Sequence, residues 1–220
     1  ESFAGYGFNK SHAAAYSLLA YHTAWLKVHF TAEFYAANMT VEMGDTDKLR
    51  VLHADALDMK ITFEPPDVNR GVYRFIPVDD TCVRYGLGAI KGTGEQAIDA
   101  MVAAREADGP FTSIYDFAAR VDKQRMNRRT VEALIKAGAF DSIERNRASL
   151  MASVERAFDY AAAQAANANQ VGLFDMDADA HGSSSQEPEL VETVPWGVKE
   201  RLTQEKTAVG FFLSGHLFDE

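Results

Sequence analysis

A mainly helical fold with one small β element is what this sequence predicts, and three features carry the prediction. Apolar side chains recur at i, i+3, i+4 and i+7 over long stretches, beginning with Ala15, Leu18, Leu19, His22, Trp25, Leu26 and His29. Short β-prone runs gather only between residues 60 and 85, around a Pro65-Pro66 break. Gly92-Thr93-Gly94 then stands between two short apolar helical patterns, Leu87–Ile90 and Ala97–Val102.

Taken in order, Ser11 can cap a helix His12–Phe30, and Thr31 can cap a second, Ala32–Met43, ended by Gly44. Lys48–Met59 reads as a third. The β element comprises Lys60–Phe63, Val72–Ile76 and Thr81–Tyr85, the last two joined by an Asp79-Asp80 turn. A helix opens at Glu95 and runs out at Asp108-Gly109-Pro110. Asn127 can cap Arg128–Ala137, and Asn146 starts a long Ala-rich helix to about Asn167. Residues 175–189 are too polar to bury a core and read as a linker. A final helix, Val198–Phe212, stops at Ser214-Gly215.

The glycine corner carries the most chemistry. Glycines reach backbone conformations closed to other residues and let a ligand approach closely. With a helix starting at Glu95, the N–H groups of the turn and the first helical residues point outward where an anion is favoured. Lys91, Gly92, Thr93 and Gly94 therefore look like a helix-hairpin-helix, a module that grips nucleic-acid phosphate without reading bases; an ordinary helix–helix turn is the alternative. Gly86, Gly88 and Gly92 imitate a dinucleotide fingerprint, but no single helix and strand follow as that motif requires. Lys91-Gly92-Thr93 also has the wrong order for a P-loop. Leu134–Asp141 is a second, degenerate corner with Phe140 at the second glycine position, and reads as a packing partner of the first.

Charge tempers the nucleic-acid reading. The 220 residues carry a net charge of −10, yet six of those negative charges fall in residues 170–192, which hold no Lys or Arg. Residues 84–136 hold nine basic side chains against seven acidic ones. Phosphate contact there rests on backbone amides and a few cations, implying modest affinity with a shallow salt dependence. The single cysteine, Cys82, excludes a disulfide framework and a cysteine zinc site, and fits a reducing cytosol. No apolar run approaches the ~20 residues of a membrane span. The N-terminus, with neither initiator Met nor signal peptide, suggests a piece of a longer protein.

One segment breaks the linker's polarity. In Gln170-Val171-Gly172-Leu173-Phe174, Leu173 and Phe174 could fill a partner's pocket while the Gln170 amide makes directed hydrogen bonds, or both could fold back on the chain's own core.

Taken together, Gly5–Tyr16, Ala24–Lys27, Pro65–Asn69, Tyr85–Glu95, Asn127–Arg129, Leu134–Asp141 and Gly210–His216 resemble the bacterial replicative DNA polymerase III alpha subunits, in order and over essentially the whole chain. Leu217, where that family usually has proline, and the loosely matching Leu49–Phe63 stretch depart from the pattern. The resemblance implies the C-terminal part of a fingers subdomain at 1–85 and a tandem helix-hairpin-helix domain at 86–168. It further implies a flexible acidic linker with a sliding-clamp-binding motif at 169–192, and at 193–220 a helix leading to an absent oligonucleotide-binding-fold domain. It makes Gln170, Leu173 and Phe174 a clamp-docking peptide, and Lys91, Gly92, Thr93, Gly94, Arg128 and Arg129 contacts to duplex primer–template DNA.

It also implies that Lys10, Ser11, His12 and Tyr16 lie near the incoming dNTP, Lys10 and His12 meeting triphosphate oxygens at a helix N-terminus. Alternatively Lys10 and Ser11 only cap the helix and Tyr16 is core. The magnesium-binding carboxylates of this DNA-directed DNA polymerase family would sit in a palm domain outside the chain, so the segment alone is expected to be inactive and to hold no metal or other cofactor. Asp79-Asp80 reads as a solvated turn, and His22 and His29 as the edge of a buried stripe. Expected partners are DNA, dNTP, the β sliding clamp and other replicase subunits in the bacterial cytoplasm, with no membrane. A non-enzymatic DNA-repair scaffold bearing the same hairpin pair is the competing reading; it explains residues 86–141 and leaves Gly5–Lys27 without a role.

Overall fold

The computed structural model describes residues 10–174 and 187–215; of Lys10, Ser11 and residues 168–174 it describes the backbone alone. Helices α1 (Lys10–His29), α2 (Thr31–Val41) and α3 (Thr46–Asp58) precede a small sheet of β1 (Thr62–Glu64), β2 (Ile76–Asp79) and β3 (Cys82–Arg84). A 3₁₀ turn, Leu87–Ala89, leads into α4 (Glu95–Asp108), α5 (Ile114–Arg120), α6 (Arg128–Lys136), α7 (Arg147–Phe174) and α8 (Val198–Val209). The mainly helical class with one small β element is thus what the chain adopts.

The sheet is ordered β1-β3-β2, with β1 parallel and β2 antiparallel to β3. The second strand in the chain, β2, forms over Ile76–Asp79 rather than Val72–Ile76, because Val72 and Tyr73 are engaged elsewhere: their carbonyls accept the N–H groups of Leu87 and Gly88. Asp79 closes the β2–β3 turn by accepting from the Thr81 N–H (2.8 Å) and hydroxyl (2.9 Å). Those hydrogen bonds hold its pKa below the ordinary carboxylate value.

One core unites the parts. Tyr35 and Met39 of α2, Val83 and Tyr85 at β3, Leu87 and Ile90 before the glycine corner, Ile98 and Met101 of α4, Phe117 of α5 and Phe140 are all buried. Phe117 meets Phe111 and Phe140 edge-on at centroid distances of 4.9 and 5.0 Å, a favoured aromatic geometry. Helix α5 follows from Ser113, whose hydroxyl accepts the Asp116 N–H at 2.9 Å as an N-cap.

Three other sequence expectations change. The apolar stripe of α1 is not buried: Tyr16, Tyr21 and Trp25 are 60, 65 and 44 % exposed, and His22 and His29 are exposed with them. Periodicity marks an apolar face without supplying its cover. Helix α1 is instead tied at its C-terminal end, where the Asp55 carboxylate of α3 accepts from Lys27 (2.6 Å) and from the Tyr35 hydroxyl (2.5 Å). Thr31 does not cap α2; its hydroxyl donates back to the Lys27 carbonyl at 2.9 Å. Helix α8 ends at Val209, three residues short of the expected Phe212, with Gly210 as its C-cap at φ +99° in the left-handed region that favours glycine.

The end of the expected linker is also fastened. Asn146, just before α7, and Ser149, Ser153 and Arg156 on it lie at i, i+3, i+7 and i+10, along one face of the helix. Asn146 donates to the Thr193 carbonyl, Ser149 and Ser153 accept the N–H groups of Thr193 and Val191, and Arg156 donates to the Glu189 carbonyl. Tyr115 of α5 donates to that same Glu189 carbonyl at 3.0 Å. Residues 189–193 are therefore a strap across α5 and α7, although the composition had put 189–192 within the expected flexible linker at 169–192.

His53 on α3 packs between Phe63 and Phe211, with ring centroids 4.5 and 5.2 Å away, and burial pushes its pKa down to about 4. The clefts beside it bring Asp47, Arg50, Asp141, Arg147, Arg201, Glu205 and Lys206 nearby. A neutral folded-state histidine contributes its full stabilisation above the unfolded pKa near 6.5 and loses it as the pH falls towards 4. Between pH 7.5 and 4.5 that loss is roughly 2–3 kcal/mol. Urea unfolding of the wild type and of His53→Gln at both pH values should show the variant losing less stability by that amount; parallel losses would place the acid sensitivity elsewhere.

Candidate nucleic-acid interface

The first hairpin is built from the 3₁₀ turn, the Gly92-Thr93-Gly94 corner and the N-terminus of α4. Gly92 has φ +88° and Gly94 has φ −95°, so only Gly92 needs glycine's conformational freedom. Nothing lies within 4 Å of where a Cβ on either glycine would stand, and both residues are exposed. Gly94 is the N-cap of α4 and supplies no side chain to its free N–H groups. Ala97 and Ile98 donate to the Gly94 carbonyl at 3.1 and 3.2 Å, whereas the N–H groups of Gly94, Glu95 and Gln96 find no acceptor among the described residues. Three amides without a protein acceptor at a helix N-terminus, on an exposed corner, make an electropositive spot suited to an anion.

Thr93 plays a different part from the one expected of it. Its N–H donates to the Ile90 carbonyl at 3.1 Å, and its hydroxyl shares one proton between the carbonyls of Leu87 (2.7 Å) and Ile90 (2.6 Å). Thr93 therefore stiffens the turn; on either side of it the N–H groups of Gly92 and of Gly94, Glu95 and Gln96 have no acceptor among the described residues. The Gly92 carbonyl is held by the Thr130 hydroxyl of α6 at 3.1 Å. That bond brings the N-terminus of α6 beside the corner, where Asn127 caps it by accepting the Thr130 N–H at 3.0 Å.

The cations are fewer than the sequence count implied. Arg84 is bound to Glu64 (2.7 Å), Arg105 donates to the carbonyls of Val68 and Gly71, and Arg120 donates to those of Ala104 and Gly109. These arginines hold loops together. Arg128 is exposed but paired with Glu132 (2.8 Å) and Glu155 (3.6 Å). Arg129 is exposed and makes no ion pair among the described residues. Lys91 is exposed, its ammonium lying against Gly210 at the end of α8. Around the corner, then, Arg129 and Lys91 are the cations open to a polyanion.

The second hairpin is the opposite case. Gly138 has φ +84°, matching Gly92, but a Cβ there would strike the Arg147 guanidinium. Arg147 makes a forked pair with Asp141 (2.8 and 2.6 Å) and donates to the Lys136 carbonyl (3.1 Å). Phe140 is fully buried and the Ala139 carbonyl accepts the Val68 N–H at 2.8 Å. This corner is a packing element, as its missing second glycine suggested.

The other expected sites are apart from the corner or lie outside the described side chains. On α1, the rings of His12 and Tyr16 meet tilted by 50° with centroids 4.3 Å apart, and Tyr16 is exposed. The side chains of Lys10 and Ser11, and of Gln170, Leu173 and Phe174 in the last turns of α7, lie outside those described. No group of three or more His, Cys, Asp or Glu positioned to hold a metal occurs among the described residues, and the Asp79 carboxylate is committed to Thr81. None of the described helices is long and apolar enough to cross a membrane. Sequence reasoning missed Thr130, whose capping neighbour Asn127 was the available signal.

A family model for the helix-hairpin-helix motif matches residues 60–150, which include both corners. The DNA polymerase III subunit alpha of Neisseria meningitidis serogroup B is 55 % identical over 218 residues, 99 % of this chain. Those of Vibrio cholerae and Escherichia coli K12 are 46 % and 44 % identical over 100 % and 98 % of it. The chain spans about a fifth of the length of these relatives, 19 % in each case. An end-to-end match at that identity, with an exposed hairpin corner in the matched region, shows that the chain belongs to the DNA polymerase III alpha-subunit family, as the counterpart of one segment of it.

Proposed function

We propose that this chain serves a bacterial replicative, DNA-directed DNA polymerase by gripping the phosphate backbone of the product duplex, lining the nucleotide side of the fingers and tethering the enzyme to the sliding clamp. The observation that carries the reading is the exposed corner whose Gly94, Glu95 and Gln96 amides have no acceptor among the described residues. A phosphate oxygen seated there meets several N–H groups and the positive end of α4, with Arg129 and Lys91 supplying charge nearby. Because amides touch phosphate rather than base edges, the grip is independent of sequence. Glu95 in the first turn and the scarcity of open cations keep it weak, so it contributes with other contacts instead of acting alone.

On the same reading, His12 and Tyr16 with Lys10 and Ser11 form the nucleotide-facing end of α1, whose exposed apolar stripe suits packing within a larger enzyme. The bond-making carboxylates belong to another part of such a polymerase, and this segment is inactive by itself. Gln170, Leu173 and Phe174 dock into the clamp, raising the enzyme's effective concentration at the primer end. A cytoplasmic location follows from that role. The repair-scaffold alternative accounts for the hairpins and not for similarity to the polymerase along the whole chain, Gly5–Lys27 included.

Duplex binding tests the grip. Gly94→Pro removes one outward N–H, and fluorescence anisotropy with two unrelated 20-base-pair duplexes should show both weakened about tenfold, the loss of one hydrogen bond to a charged group. Wild-type affinity in the variant, or strong preference between the duplexes, would defeat the amide grip. Clamp docking has its own test: Leu173→Ala with Phe174→Ala in the complete alpha subunit should abolish clamp pull-down while short-primer extension continues. Retained pull-down would place the docking peptide elsewhere.

A further inference from the structure

Helix α8 lies beyond both hairpins in the chain, yet it touches each of them. Glu205, in its third turn, is 1 % exposed, and glutamate is almost never so buried unless paired. Its Oε1 accepts the N–H groups of Leu213 (2.7 Å) and Ser214 (2.8 Å), fixing the chain that follows α8. Its Oε2 faces the Arg147 guanidinium at 3.8 Å, and Arg147 is the residue that pins the second corner through Asp141 and Lys136. One turn further along α8, the Ala208 carbonyl accepts the Lys91 N–H at 2.8 Å. Gly210 then ends the helix in the left-handed region, packed against the Thr46 methyl and the Lys91 ammonium.

The exposed corner is consequently held on both sides. The Thr130 hydroxyl of α6 takes the Gly92 carbonyl, and the α8 carbonyl of Ala208 takes the amide of the residue just before Gly92. Glu205 is the only charged side chain of α8 buried at this junction. We propose that α8 is the rear wall of the first hairpin, and that Glu205 is a positioning residue for duplex binding, seating α8 so that Ala208 fixes the backbone of Lys91. The inference rests on the reading that the corner holds a phosphate.

The test uses the complete alpha subunit, with duplex affinity measured well below the melting temperature. Glu205→Ala removes the acceptor for both tail N–H groups and should weaken binding about fivefold, as for the loss of one ordinary hydrogen bond. Glu205→Gln keeps a carbonyl oxygen for those N–H groups and should restore affinity to within about twofold of the wild type. Hydrogen exchange supplies the second readout: the Lys91 amide should exchange faster in Glu205→Ala and at the wild-type rate in Glu205→Gln. If Glu205→Ala does not fold, Glu205→Asp replaces it; its carboxylate, drawn back by one methylene, leaves hydrogen-bond reach of the Leu213 and Ser214 N–H groups and should show the same loss of affinity. A lowered melting temperature with wild-type affinity and wild-type Lys91 exchange would make Glu205 purely structural and overturn the proposal. Wild-type duplex affinity in Gly94→Pro would overturn the phosphate reading itself and this inference with it, so the two failures are distinguishable.

Discussion

A backbone turn that offers N–H groups to an anion must be held rigid without using those N–H groups. That constraint organises the middle of this protein. The corner at Gly92–Gly94 is fastened by its carbonyls and by amides that precede the open ones: Thr130 takes the Gly92 carbonyl, the Thr93 hydroxyl takes those of Leu87 and Ile90, and Ala208 takes the Lys91 N–H. Beneath it, Leu87, Ile90 and Ile98 anchor both arms in the core. The amides without an acceptor among the described residues are those of Gly92, Gly94, Glu95 and Gln96, the last three where the field of α4 is most positive. Pre-organisation of this kind lowers the entropy lost when a ligand binds, which matters for a site with few cations.

The two corners show how one local motif serves two ends. Gly92 and Gly138 share a left-handed φ, +88° and +84°. The first has open space where a Cβ would stand, and the second has the Arg147 guanidinium. Replacement of a second glycine by Phe140 turns that corner inward, where it packs edge-on against Phe117. A buried corner gives the exposed one a fixed platform, since α6 leads out of the first corner's contact at Thr130 and into the second corner at Ala137. Arg147 and Glu205 then tie that platform to α8.

Much of this was legible in the residues. The Gly-Thr-Gly corner, the degenerate partner with Phe140, the Asn127 cap and the Asp79-Asp80 turn all depend on local chemistry, which spacing and residue type express directly. What spacing does not express is who meets whom. Arg84, Arg105 and Arg120 count as cations in the sequence, but carboxylates and loop carbonyls consume them. The α1 stripe has correct helical periodicity and faces outward, because periodicity defines a face and not its cover. Glu205 looks like any surface glutamate of an amphipathic helix, and only the return of Leu213 and Ser214 over it makes it a buried acceptor. The strap at 189–193 escaped notice because its polar composition is satisfied by a polar stripe on α7 instead of by water.

Net charge fits the same logic. A chain at −10 is repelled by DNA at long range, so electrostatic steering cannot be the basis of its grip. Short-range donors can be: a hydrogen bond from a fixed amide acts only at contact and needs no excess of cations nearby. Such a grip releases few counterions and depends weakly on salt. It also yields readily when the duplex slides by one phosphate, because every phosphate presents the same oxygens to the same amides. For a module with the proposed role of holding a duplex while letting it advance, weak and repeatable contact is a better solution than a strongly basic patch. On the proposed reading, persistence on the template then has to come from a tether outside the corner, the role proposed for Gln170, Leu173 and Phe174 in the last turns of α7.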